Sequence, residues 1–202
     1  ISLDGNRVSV ISGSAKFALP TLPVSDYPTL PELPSETGRL AGELFAEAVH
    51  QVAIAAGKDD SLPVLTGVHV EIEENKLTLA ATDRYRLAVR ELDWEAPRAS
   101  ASALIRARTL HDASKSLVGS AQVSLALAAP NAQERLIGFS TEGKSMTSRM
   151  LDGTFPPYRH LLPSDRSATA IIEVAPLLDS VRRVALVADK TIPLRLDRKS
   201  VV

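Results

Sequence analysis

The stretch Glu43-Leu44-Phe45-Ala46-Glu47-Ala48-Val49-His50-Gln51-Val52-Ala53-Ile54-Ala55-Ala56 decides the fold because the chain repeats it. Its echo is Ala175-Pro176-Leu177-Leu178-Asp179-Ser180-Val181-Arg182-Arg183-Val184-Ala185-Leu186-Val187-Ala188. Phe45 matches Leu177, Glu47 matches Asp179, Val49 matches Val181, Val52 matches Val184, and Ile54 matches Leu186. Each segment predicts an amphipathic helix, since its apolar residues recur at helical spacing. Upstream of each stands an aromatic-Pro pair, Tyr27-Pro28 and Phe155-Pro156, followed by a Leu-Pro pair, Leu33-Pro34 and Leu162-Pro163. A short strand is expected before each helix, near 38–41 and 168–174. The same linker-strand-helix junction thus occurs twice, about one domain length apart. The alternative is chance similarity between two amphipathic helices.

Between the two junctions the pattern alternates with the period of strands. Residues 63–72 and 76–82 form an expected hairpin around Glu73-Glu74-Asn75. Further strands are expected at 86–94, 103–106, 123–128, 136–140 and 144–151. A second helix at 109–117 is closed by Gly119. Two helices and about eight strands predict an α+β domain, with both helices on one face of curved antiparallel sheet.

On the helices, Phe45, Val49, Val52 and Ala56 form the expected core face of the first, and Leu177, Val181, Val184 and Ala188 that of the second. Ile54 and Leu186 point the other way at equivalent positions, which suggests a domain or dimer interface; singly exposed aliphatics are the plainer reading. Arg106, Arg108, Lys115, Arg182 and Arg183 are candidate phosphate contacts, against the plainer reading of solvated surface charges.

Composition narrows the classes. The 202 residues are 45% hydrophobic and 23% charged, with formal net charge −1. A polyphosphate binder of that charge must segregate its cations on one surface. Aromatics at 4% argue against single-strand binding by base stacking. The absence of cysteine excludes a disulfide scaffold, thiolate-ligated zinc and a thiol nucleophile, and suits a reducing cytoplasm. No apolar run is long enough to cross a bilayer and no secretory signal opens the chain, so no membrane role is expected. The chain lacks an initiator Met, begins at Ile1 and stops at Val201-Val202, as a piece of a longer protein would.

Catalytic signatures are missing. There is no Gly-rich phosphate loop, HExxH or GxSxG. His50, His69, His111 and His160 are scattered and pair with no carboxylate at ligand spacing. Asp83 could serve as an acid or metal ligand, but a turn aspartate usually caps its own backbone. No catalytic residue, metal or cofactor is expected.

The string Ala81-Thr82-Asp83-Arg84-Tyr85-Arg86-Leu87-Ala88-Val89 resembles the ATDxxRLAV signature of bacterial DNA polymerase III beta subunits, the sliding clamps. Leu65-Thr66-Gly67-Val68 precedes it at the family's distance, and Asp152-Gly153-Thr154-Phe155-Pro156-Pro157-Tyr158-Arg159 with Leu162-Pro163 is similar to the family's D-G-x-F-P-x-Y-R…L-P segment. Phe17-Ala18-Leu19-Pro20-Thr21-Leu22-Pro23 with Tyr27-Pro28 resembles the end of its first domain. The resemblance spans the chain in order. It implies a DNA-clamp fold in three parts: the tail of domain one (1–35), all of domain two (36–165) and the start of domain three (166–202).

It further implies a homodimeric ring that encircles duplex DNA, has helices lining the hole and does no chemistry of its own. A clamp loader would open it. The polymerase III alpha subunit and other factors would dock short peptides in a pocket between domains two and three. By motif position the pocket residues are Leu65, Thr82, Leu87, Pro156, His160 and Leu161; the family often has Arg where this chain has His160. Leu186 falls where the family makes its dimer contact. Two other readings compete: an α+β enzyme with carboxylates such as Asp83 at its site, and a peptide-binding module with no role on DNA.

Overall fold

A computed structural model describes all residues except 95–99, 130, 131, 133, 164, 166, 167, 190, 191, 193 and 198–202. The chain forms two compact units, Ile1–Pro156 and Pro157–Val202. The expected third segment, 166–202, is therefore described only in part.

The first unit opens with an antiparallel meander, β1 (Ser2–Asp4), β2 (Arg7–Ser12) and β3 (Ala15–Pro20). Its Phe17 and Leu19 stay exposed. A linker containing one 3-10 turn, Val24–Asp26, leads to β4 (Glu36–Ala41) and α1 (Gly42–Ala53). A second 3-10 turn, Pro63–Thr66, precedes β5 (Gly67–Glu73), β6 (Lys76–Thr82), β7 (Leu87–Asp93) and β8 (Ala101–Arg106). Then come α2 (Ala107–Leu117), β9 (Gln122–Leu127), β10 (Leu136–Thr141) and β11 (Lys144–Arg149). The eight later strands make two four-stranded sheets, ordered β11-β10-β9-β4 and β7-β6-β5-β8, with every pairing antiparallel.

The core follows from the two periodicities. On α1, Phe45, Val49 and Val52 are buried, and the helix packs on α2 and on β6 and β7. Leu77, Leu79 and Ala81 of β6 and Val68, Val70 and Ile72 of β5 alternate into the same cluster, as period-two strands require. Leu110 and Leu117 of α2 and Leu125, Ile137 and Phe139 of the other sheet complete it. The Phe45 and Phe139 rings lie 5.9 Å apart, tilted 37°. The linker is drawn onto this body at Gly138, where a Cβ would sit 2.5 Å from Leu33 Cδ2. Any larger residue there would have to push the Leu33 side chain aside.

Two expected elements of this unit differ. Residues 63–66 were expected as strand but form the 3-10 turn. Pro63 has no amide to give a ladder and favours a helical φ, and the Thr66 hydroxyl donates to the Pro63 carbonyl at 2.7 Å. The first helix leaves α geometry after Ala53, and Ala55 and Ala56 continue with i→i−3 bonds that tighten its last turn.

The second unit contains a 3-10 turn, Arg159–Leu161, and α3 (Val174–Ala185). No strand forms over 168–174: among the described residues of this unit there is no backbone partner for one. The expected core face of α3 is correspondingly uncovered. Leu177, Val181 and Ala188 are half-buried, Val184 is exposed, and no residue of the helix is buried. Among the described residues, no helix is long and apolar enough to cross a membrane.

Candidate functional site

The turn joining β6 to β7 is built almost wholly by its own side chains. The Thr82 hydroxyl donates to the Arg86 carbonyl at 2.7 Å and accepts the Arg84 amide at 3.1 Å. One Asp83 carboxylate oxygen accepts the Tyr85 and Arg86 amides at 3.1 and 3.0 Å, and the other accepts Arg86 Nε at 3.0 Å. Burial pushes the Asp83 carboxyl up, but the Arg86 and Tyr85 amides and the Arg86 guanidinium outweigh it, so its pKa is lowered. Asp83 is thus the backbone cap of a turn, and its oxygens are engaged in holding it. Among the described residues, no group of three or more His, Cys, Asp or Glu could hold a metal ion.

That turn sets Thr82 and Leu87 at one end of the second sheet, where other segments bring Leu65 and Pro156. Thr82 and Leu87 are register partners across β6 and β7. The register of β5 on β6 runs through His69 and Ala80, so the start of β5 lies beside the end of β6. Leu65, two residues before β5, is held there by the Gly57 amide, which donates to its carbonyl at 2.7 Å. Leu65, Thr82 and Leu87 are all half-buried. The 150–156 segment returns to the same end. The Leu151 amide donates to the Leu104 carbonyl at 2.7 Å, and the Phe155 ring stacks on His69 at 5.2 Å. Gly153 has φ +120°, and a Cβ there would meet Val64 at 2.6 Å. Pro156, next to the buried Phe155, is exposed. His160 and Leu161 belong to the second unit, where both are exposed on the 3-10 turn Arg159–Leu161.

The cations divide. Gly67 pairs with Arg106, so Leu87, Thr82, Gly67 and Arg106 follow one another across the sheet end. Beside them, a cleft of about 800 Å³ opens between the end of α1 and the start of α2. Arg106 and Arg108 line it, as do Lys58, Arg86, His50 and His111, which the sequence reading did not select as a group. The His50 and His111 rings stack with centroids 5.9 Å apart. Lys115 does not line the cleft. It continues the exposed stripe Arg108-Asp112-Lys115 down α2 at helical spacing.

Arg106 Nη1 lies 3.0 Å from an Asp60 carboxylate oxygen, and Arg108 Nε lies 4.0 Å from Asp112. In the second unit, Arg182 lies 3.9 Å from Asp179, and Arg183 Nη2 donates to the Ser180 hydroxyl at 3.2 Å. Ile54, 66% exposed, stands at the cleft wall; Leu186 is 85% exposed at the end of α3.

Residues 39–157 match the family model described as DNA polymerase III beta subunit, central domain. The chain is 54% identical over 198 residues to the beta sliding clamp of Streptomyces coelicolor, covering 97% of this chain and 53% of that protein. It is 45% identical to that of Micrococcus luteus, covering 97% and 63%. The crystal structure of the DNA polymerase sliding clamp from Bacillus subtilis superposes with a TM-score of 0.81 at 26% identity, covering 94% of this chain and 50% of that one. The chain therefore spans between half and two thirds of the length of these relatives. With the family's central-domain model matching more than half of its residues, and with its fold superposing on that of a solved sliding clamp, the chain belongs to the DNA polymerase III beta subunit family.

Proposed function

We propose that, within its full-length protein, this chain forms part of a homodimeric ring that encircles duplex DNA and tethers the replicative polymerase, doing no chemistry of its own. On this reading, 1–35 is the tail of a first clamp domain, 36–165 a complete second domain and 166–202 the head of a third. Its partners are duplex DNA without regard to sequence, the DNA polymerase III alpha subunit, the clamp loader and other proteins carrying a clamp-binding peptide. Ile54 and Leu186 serve as domain and dimer contacts. Leu65, Thr82, Leu87, Pro156, His160 and Leu161 receive the peptide.

The observation that carries the reading is the row at the sheet end, with the apolar Leu87 at one side and Arg106 with the basic cleft at the other. Cations that meet phosphate carry no base information, which suits a ring that must slide. Half-buried leucines beside a hydroxyl suit an apolar peptide anchor.

Leu87→Ala in the full-length protein should weaken a labelled polymerase-tail peptide by about 10- to 100-fold, the effect of removing one apolar anchor contact. Arg106→Gln and Arg108→Gln should weaken binding to a mixed-sequence duplex uniformly and flatten its salt dependence by about one each. Equal peptide affinity in wild type and Leu87→Ala would overturn the pocket; strong preference among duplex sequences would overturn sliding.

A further inference from the structure

The acids around the cleft differ in what else they do. Asp83 caps the turn at Arg86, and one oxygen of Asp59 accepts the Ser61 amide at 2.9 Å. Asp112 lies one helical turn from Arg108 on the same helix. Asp60 has none of these local tasks among the described residues. Its side chain is 85% exposed, and its bond is to Arg106, 46 positions away in sequence, across a cleft also lined by Lys58, Arg86 and Arg108. A solvent-exposed pair of this kind contributes little to folding and is easily exchanged.

We propose that the Asp60 carboxylate is an internal counter-ion that occupies the phosphate position on Arg106 and is displaced each time a DNA phosphate enters the cleft. This rests on the reading of the cleft as a DNA contact and adds a device for keeping that contact short-lived. A phosphodiester and Asp60 each bring one negative charge to the same guanidinium. Exchange of one for the other leaves the net charge at Arg106 unchanged and lowers the gain from binding. A ring that must slide needs contacts of this kind, strong enough to centre the duplex and weak enough to release it.

Asp60→Asn keeps the side-chain size and removes the competing charge. In the full-length protein at low salt, with a short fluorescent duplex of mixed sequence, it should tighten binding by about 3- to 10-fold and steepen the salt dependence by up to about one. Arg106→Gln should weaken binding, and in its presence Asp60→Asn should bring no gain at all. If Arg106→Gln weakens binding and Asp60→Asn alone changes nothing or weakens it, the cleft binds phosphate and the counter-ion proposal is wrong. If Arg106→Gln has no effect, the cleft does not bind DNA, and both the proposal and the reading beneath it fall. Thermal melting of each variant identifies any loss of fold, and Asp60→Ser repeats the test with a second neutral side chain.

Discussion

Helices α1 and α3 are the same device in two settings. Each is twelve residues long, they start and end at equivalent positions of the repeat, and they share one bond just past the end, the Ala55 amide donating to Val52 and the Val187 amide to Val184. Their core-face residues match, Phe45 with Leu177, Val49 with Val181, Val52 with Val184 and Ala56 with Ala188. Yet Val52 is 1% exposed and its counterpart Val184 is 53% exposed. Helix α1 lies on α2 and on strands of both four-stranded sheets; α3 has no sheet within its own unit among the described residues. An amphipathic face therefore encodes which side of a helix is to be covered, and the cover itself has to come from elsewhere in the chain or from a partner. The β6–β7 turn stands at the opposite extreme, since side chains within five residues of one another supply its bonds.

The sharpest test puts one substitution at both equivalent sites. Val52→Asp places an unpaired charge in the core and should cost about 3–5 kcal/mol. Val184→Asp in the same 202-residue chain should cost less than about 0.5 kcal/mol, as exposed substitutions do. Urea unfolding measures both, and similar costs would erase the contrast.

The turn should respond locally. Asp83→Asn removes a charged acceptor from two amides and a guanidinium and should cost about 1 kcal/mol at neutral pH. Because the folded pKa of Asp83 is below its ordinary 3.8, its contribution is present above that value and is lost as pH falls through the lower, folded one. Wild type and Asp83→Asn should thus converge in stability in acid, below about pH 4, while remaining separate at neutral pH. A gap unchanged down to acid would mean that Asp83 acts through something other than its charge. A gain is expected at Arg84, whose φ of +81° is unfavourable for any residue with a Cβ. Arg84→Gly should raise stability by about 0.5–1 kcal/mol, measured as a higher urea midpoint with unchanged slope.

The fold was legible where the signal was local or duplicated. Strand 76–82 was read residue for residue from alternation, and the two helices were recognised because the chain prints the pattern twice. The turn at Pro63–Thr66 was missed because its apolar residues look like the strand they precede. The expected cap at Asp83 needed only its own neighbours. The cleft needed β5 paired to β8, which brings Arg106 to the end of α1 and gathers His50, Lys58, Arg86 and Arg108 from segments distant in sequence. Charge alone marked Arg106 and Arg108, and no local pattern could attach Asp60 to them. On α3 periodicity marks the less exposed face, with Leu177, Val181 and Ala188 half-buried, and says nothing of what covers it.

On the proposed function, the full-length protein holds DNA by enclosing it, with cleft contacts that centre the duplex and do not anchor it. The direct measurement is retention of the loaded protein on covalently closed circular DNA at salt high enough to suppress phosphate contacts, followed by a single linearising cut. Retention on the circle and rapid loss after the cut is the result expected. Loss from the circle at that salt, or retention unchanged after linearisation, would contradict topological enclosure.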